Sequence, residues 1–139
     1  MAGSSGFSEA QRERLRDALA AAEQATGVRF LLRVGDLEER PREQAERLLA
    51  WSLERPAGDP AVLLAVSPAQ RQAVIVTSRG ARPLIPDRSC AVALTALKAS
   101  AGIGDLTGGL LQAIALLGDA ARAGRARQKP RRQLALGRG

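Results

Sequence analysis

Apolar positions along the chain follow two periods, one of 3.6 residues and one of two, and their succession lays out the elements. Ser8 followed by Gln11 has the form of a capping box, and Leu15, Ala18, Leu19 and Ala22 then return to one helical face until Gly27 supplies a stop. Val28, Phe30, Leu32 and Val34 alternate with Arg29, Leu31 and Arg33, which is a strand pattern ended by Gly35 and Asp36. Pro41 suits the first turn of a second helix with Ala45, Leu48, Leu49 and Ser52 as its inner face. The segment Arg55 to Pro60 breaks the pattern, and Ala61 to Val66 follows as an uninterrupted apolar run of the kind buried on both faces, predicting the central strand.

The link from Ser67 to Gln72 is so short that the next strand, Ala73 to Thr77, must return antiparallel, whereas the first two strands, joined through a helix, should be parallel with a right-handed crossover. Gly80 to Pro86 predicts a loop with room for a short edge strand. Asp87 is placed to cap a third helix running to about Ser100, and Gly102 and Gly104 separate it from a fourth, roughly Asp105 to Ala123. Both late helices are apolar on more than one face, which calls for burial against the sheet or self-association with a second copy. The expected fold is α/β, a three-layer sandwich with a small mixed sheet of three or four strands flanked by about four helices. Its parts are a flexible segment 1–6, a body 7–123 and a disordered basic tail 124–139.

Composition agrees with one folded unit and narrows its chemistry. At 139 residues there is room for one core, and with aromatic residues at 2% it must be filled by Leu, Val, Ile and Ala. The sequence holds no His and no Tyr, which removes Ser-His-Asp and Cys-His catalysis and His-ligated metals. Cys90 is the single cysteine, so no disulfide forms within the chain and a reducing, cytoplasmic compartment is expected; the thiol reads as a small buried apolar group. Met1 to Gly6 carries neither the basic start nor the apolar core of a signal peptide, and the charge-free segment Leu106 to Gly118 is too short to span a bilayer.

Charge divides the chain unevenly. The formal net charge is +7, yet residues 1–121 hold 14 basic and 14 acidic side chains, while residues 122–139 hold seven basic and none acidic. Arg122, Arg125, Arg127, Lys129, Arg131 and Arg132 therefore form a candidate anionic-surface segment that would meet nucleic-acid phosphates or an anionic membrane surface. The aromatics Phe7, Phe30 and Trp51 all precede it, so it offers no base-stacking platform, and a solvated solubility tail would have the same composition.

Two sheet edges gather candidate residues. The carboxyl ends of the first two strands bring Asp36, Ser67, Gln70 and Arg71 together, where open α/β sheets bind ligands, although turn chemistry alone explains Asp36 and Ser67. The returning third strand brings Ser78, Arg79, Gly80 and Arg82 toward Gly27, Gly58 and Asp59 at the opposite edge, with Asp87 and Arg88 nearby. Backbone N–H groups at such glycines and the guanidinium groups suit an anion; the same glycines also serve as a helix stop and a turn.

Thr26, Gly27 and Val28 at the first strand, Trp51 in the second helix, Gly58 and Asp59 before the apolar strand, the Arg71 to Thr77 strand, Gly80, and Asp87 at the next helix together form an ordered set. In that order they resemble the TPM domain over about residues 7–120, nearest to a divergent bacterial branch with no assigned function. The resemblance implies an α/β sandwich and links to photosystem repair, membrane-receptor modulation and, in some members, acid phosphatase activity with a bound divalent metal. Asp59, Gly80 and Asp87 occupy the matching positions. Where that family tends to have Gly-x-Gly-x-Glu, this chain reads Ser78-Arg79-Gly80-Ala81-Arg82, and a guanidinium in place of a carboxylate disfavours calcium.

Three functions follow as expectations. The first is a noncatalytic binding or scaffold module, TPM-like in its body, that contacts a protein partner while its basic tail touches an anionic surface. The second is a metal-dependent phosphoester hydrolase at Asp59, Gly80 and Asp87, and the third is nonspecific nucleic-acid binding through the tail.

Overall fold

The computed structural model describes residues 7–52 and 59–138, with side chains through residue 128. The segment 1–6, Gly58 and the start of the Arg55 to Pro60 break lie outside the described residues. Helix α1 covers Glu9–Thr26, and its capping box forms as expected: the Gln11 N–H donates to Ser8 Oγ at 3.1 Å, and the Ser8 N–H donates to Gln11 Oε1 at 2.9 Å. Gly27 ends the helix at φ 74°, a left-handed conformation that a side chain would disfavour. The Thr26 hydroxyl donates to the Ala22 carbonyl and accepts from the Val28 N–H, turning the chain into strand β1, Arg29–Val34.

Helix α2 covers Pro41–Ser52, strand β2 Ala61–Ser67 and strand β3 Gln72–Thr77. The sheet order is β1-β2-β3, with β1 and β2 parallel from Arg29 opposite Ala61 to Val34 opposite Val66, and β2 and β3 antiparallel. All seven residues of β2 are buried, because it is the central strand and both of its faces are covered. Val62, Leu64 and Val66 point with Phe30 and Ile75 into the larger core, closed by α1, α3 (Asp87–Gly102) and α4 (Leu106–Arg138). Ala61, Leu63 and Ala65 point the other way, into a thinner core under α2 with Leu37, Ala45, Leu49 and Val76. The protein is thus an α/β three-layer sandwich around a three-stranded mixed sheet. Among the described residues no helix is long and apolar enough to cross a membrane.

Four expectations change. Residues Arg79–Ala81 form a single 3-10 turn, not an edge strand, because Leu84 and Ile85 must turn inward beneath α4 and both are buried. Pro86 occupies the N-cap of α3 and Asp87 its first turn, where the carboxylate lies at the positive end of the helix dipole without a capping hydrogen bond. Ser52 is exposed and donates to the Leu48 carbonyl of its own helix; the inner face of α2 uses Gln44 instead, whose Oε1 accepts from the Glu38 N–H at 2.7 Å. Finally, α4 does not stop at Ala123 but continues as helix to Arg138.

That continuation has a local cause in Gly124 and Arg125. Gly124 is buried against the Leu84 backbone, so close that an added Cβ would lie 2.8 Å from Leu84 Cα and 2.8 Å from its carbonyl oxygen. Arg125 Nε donates to the Thr26 carbonyl at 2.9 Å, placing a cation on the negative end of α1. The body therefore extends through Arg125, two residues past the boundary read from composition.

Candidate functional site

At the edge where β1 and β2 begin and β3 ends, Ser78 organises the chain. Its N–H donates to the Ala61 carbonyl, its hydroxyl donates to the Asp59 carbonyl at 2.6 Å, and the same oxygen accepts from the Ala61 N–H at 2.9 Å. The Arg29 N–H donates to the Pro60 carbonyl, which draws the Gly27 turn to the same edge. Gly27, Asp59 and the Arg79–Gly80 turn do converge there, but as structural joints. Arg79, Arg82 and Asp87 are exposed, and Gly80 takes a 3-10 conformation with no left-handed backbone. The guanidinium that meets Gly27 is Arg125: an added Cβ at Gly27 would lie 3.0 Å from Arg125 Nη2. Neither Asp59 nor Asp87 belongs to a group of three or more acidic or cysteine side chains among the described residues. Ser78→Ala is expected to lower the unfolding free energy by about 1–2 kcal/mol, because a buried hydroxyl serving two backbone groups is lost; urea denaturation reads it.

Cys90, in the first turn of α3, is half-buried. Burial, and then the Asp87 carboxylate, push its thiol above the ordinary range, against an opposing contribution from Arg42. A thiol held protonated is a packing group, not a nucleophile.

The opposite edge is built differently. The β2–β3 turn is tied to the β1–α2 connection by Gln70, whose Oε1 accepts from the Leu37 N–H at 2.6 Å while its Nε2 donates to the Leu37 carbonyl at 2.9 Å. Ser67, almost wholly buried, accepts from the Gln70 N–H through its hydroxyl. Between this turn and the α3–α4 junction lies a cavity of about 350 Å³, lined by Val66, Ser67, Arg71, Leu97, Lys98 and Leu106 among others. Of the four residues expected at this edge, Ser67 and Arg71 reach the cavity. Asp36 is exposed outside it, and Gln70 acts as a tie. Lys98 escaped sequence reading because it belongs to a helix 27 residues after Arg71; only the antiparallel return of β3 and the length of α3 bring it back to this end.

The basic segment also divides. Arg122 lines a smaller groove between α1 and α4 together with Asp119, and Arg125 is engaged with Thr26; Arg127 is exposed. Lys129, Arg131 and Arg132 occupy the continuing α4 backbone.

The fold recurs in solved structures. The BA42 protein of the psychrophilic bacterium Bizionia argentinensis is similar with a TM-score of 0.72 and 18% identity, over 86% of this chain and 83% of that one. The N-terminal domain of a protein from P. gingivalis is similar with a TM-score of 0.71 and 19% identity, over 82% and 75%. At such identity the likeness concerns the fold alone. No curated protein matches the chain. The resemblance to the TPM domain is corrected by the family comparison, which matches a different family; the ordered glycines and acids that carried it are the helix stop, turn and first-turn residues described above. The phosphoester hydrolase reading, drawn from that resemblance, loses its support. Matched over residues 2–118, the chain belongs to the family described as a domain of unknown function, DUF5130.

Proposed function

We propose that this chain is a noncatalytic binding module whose body, neutral through residue 121, positions a basic helical extension against the phosphates of a nucleic acid. The observation that carries the reading is the continuity of α4: a helix anchored in the body by Gly124 and Arg125 runs on through the segment that holds the excess positive charge. At about 100° per residue, positions 122, 125, 129 and 132 fall on one side of that helix and 127, 131 and 138 on the other. Beyond Arg125, which is engaged with Thr26, positions 129 and 132 on one side and 127 and 131 on the other suit a groove with phosphates on both walls. A flat anionic membrane would neutralise one side and would ask for an apolar stripe, for which the extension has only Leu134 and Leu136. A cytoplasmic setting with one unpaired cysteine fits that partner.

The test is fluorescence anisotropy of a labelled 20-base-pair duplex with the full chain at rising salt. Replacing Arg127, Lys129, Arg131 and Arg132 by Gln should reduce the slope of log affinity against log salt by roughly 3 to 4, since each phosphate contact contributes about 0.9. Arg125→Gln should change that slope little, because its guanidinium is already engaged with Thr26. Unchanged slope in the fourfold variant defeats the proposal, and tighter binding to phosphatidylserine vesicles than to duplex replaces it with the membrane reading.

A second reading, contact of the body with a protein partner, is supported by Trp51. It stands 87% exposed on α2, and a large aromatic left in water is the kind of side chain that anchors protein interfaces.

A further inference from the structure

We infer that the cavity between the β2–β3 turn and the α3–α4 junction is a binding site for a small carboxylate with an apolar body. This site is separate from the basic extension and does not depend on it. Three observations point to that ligand. The first is the lining: Val66, Leu97 and Leu106 supply apolar wall, Arg71 and Lys98 supply two cations, and none of the lining residues is acidic. At about 350 Å³ the space is at the small end of ligand pockets, and a mostly apolar wall with a few convergent polar groups is their usual chemistry.

The second is the backbone of Arg71. At φ 55° it is the one non-glycine residue in the left-handed region among the described residues, a conformation that disfavours any side chain and that glycine adopts freely. Arg71 is exposed, so no packing of its side chain offsets that cost. Glycine would serve the turn better; arginine there serves the cleft. Gln70, tied to both backbone groups of Leu37, holds the turn in place beside it, so the guanidinium is presented from a fixed point.

The third observation selects the anion. Asp105 stands at the start of α4, next to Leu106, and its Oδ1 accepts from the Gly108 N–H at 2.9 Å. The start of α4, which reaches the cavity through Leu106, is therefore already capped by a carboxylate, whose charge opposes a second highly charged anion such as a phosphate dianion. With two cations in the lining and that carboxylate at the neighbouring helix start, a singly charged anion is favoured over a dianion. The guanidinium of Arg71 would take that carboxylate in paired charge-assisted hydrogen bonds, Lys98 would add a point charge, and the apolar body would lie on Leu97 and Leu106.

The experiment is an amide-resolved NMR titration of the full chain with hexanoate, with hexylammonium and 1-hexanol as probes of the same body and different charge. Saturable shifts are expected at Ser67, Arg71, Leu97, Lys98 and Leu106 with hexanoate, at least about tenfold weaker with hexanol, and absent with hexylammonium. Arg71→Gly should weaken hexanoate about tenfold or more while leaving the melting temperature equal or higher, and Lys98→Gln, on an exposed helix surface, should weaken it with the fold intact. Equal response to the three probes, shifts clustered away from the cavity, undiminished affinity in Arg71→Gly, or a lower melting temperature in that variant would each overturn the assignment. Equal binding of inorganic phosphate would overturn the choice of carboxylate.

Discussion

Leu64→Ala is expected to lower the free energy of unfolding by about 2–5 kcal/mol, and to cost more than Leu63→Ala beside it. Leu64 is fully buried at the middle of the central strand, in a cross-strand row with Leu32 and Ile75. Above that row three helices, α1, α3 and α4, close the larger core, so the surrounding side chains have little freedom to collapse into the space left by the truncation. Leu63 faces the other way, in a row with Leu31 and Val76 beneath the single helix α2, where Leu31 and Leu48 are only half-buried. That thinner layer relaxes more easily, and a loss near the lower end of the range, about 2 kcal/mol, is expected there. Urea denaturation at constant m-value measures both, and equal losses would contradict the unequal layering of the sheet.

Two glycines of α4 should respond to alanine with opposite signs. In a helix interior alanine is the better residue by about 1 kcal/mol at either position, so propensity alone predicts two gains. At Gly118 an added Cβ meets nothing within 4 Å, and the substitution should stabilise by about 0.5–1 kcal/mol. At Gly124 the same methyl would lie 2.8 Å from backbone atoms of Leu84, which belong to the buried turn before α3 and cannot swing aside. Gly124→Ala should therefore destabilise by about 1–3 kcal/mol, the overpacking cost exceeding the propensity gain. Thermal unfolding of the two variants beside the parent reads the sign directly. A rise in melting temperature for Gly124→Ala would mean that α4 does not rest on Leu84.

The elements legible in the sequence are those in which burial writes a local pattern. The uninterrupted run Ala61 to Val66 became a central strand because a strand covered on both faces has no polar position to alternate, and Ser8 with Gln11 formed its capping box because both partners lie within one helical turn. What could not be read depends on residues far apart in the chain. Arg125 looks like one more tail arginine until the fold brings it to the Thr26 carbonyl, 99 residues away. Glu23 looks like a solvated helix residue, yet its carboxylate accepts from the Phe30 N–H on the free side of β1. The candidate site followed the same rule: Ser67 and Arg71 were visible as a strand end and its turn, whereas Lys98 needed the topology. Glycines and acids in suggestive order misled the family reading, since helix stops and first turns use the same residue types as ligand loops.

The long separation between Thr26 and Arg125 also bears on how the protein is made. At roughly 5–20 residues per second, a ribosome leaves α1 waiting on the order of 5–20 s for the helix that completes its layer. Over that interval Leu15, Ala18 and Leu19 have β1 and the emerging hairpin for cover but not α4, so the nascent chain presents a half-closed apolar surface. Gly124 and Arg125, among the last body residues to be synthesised, are the ones that seal it.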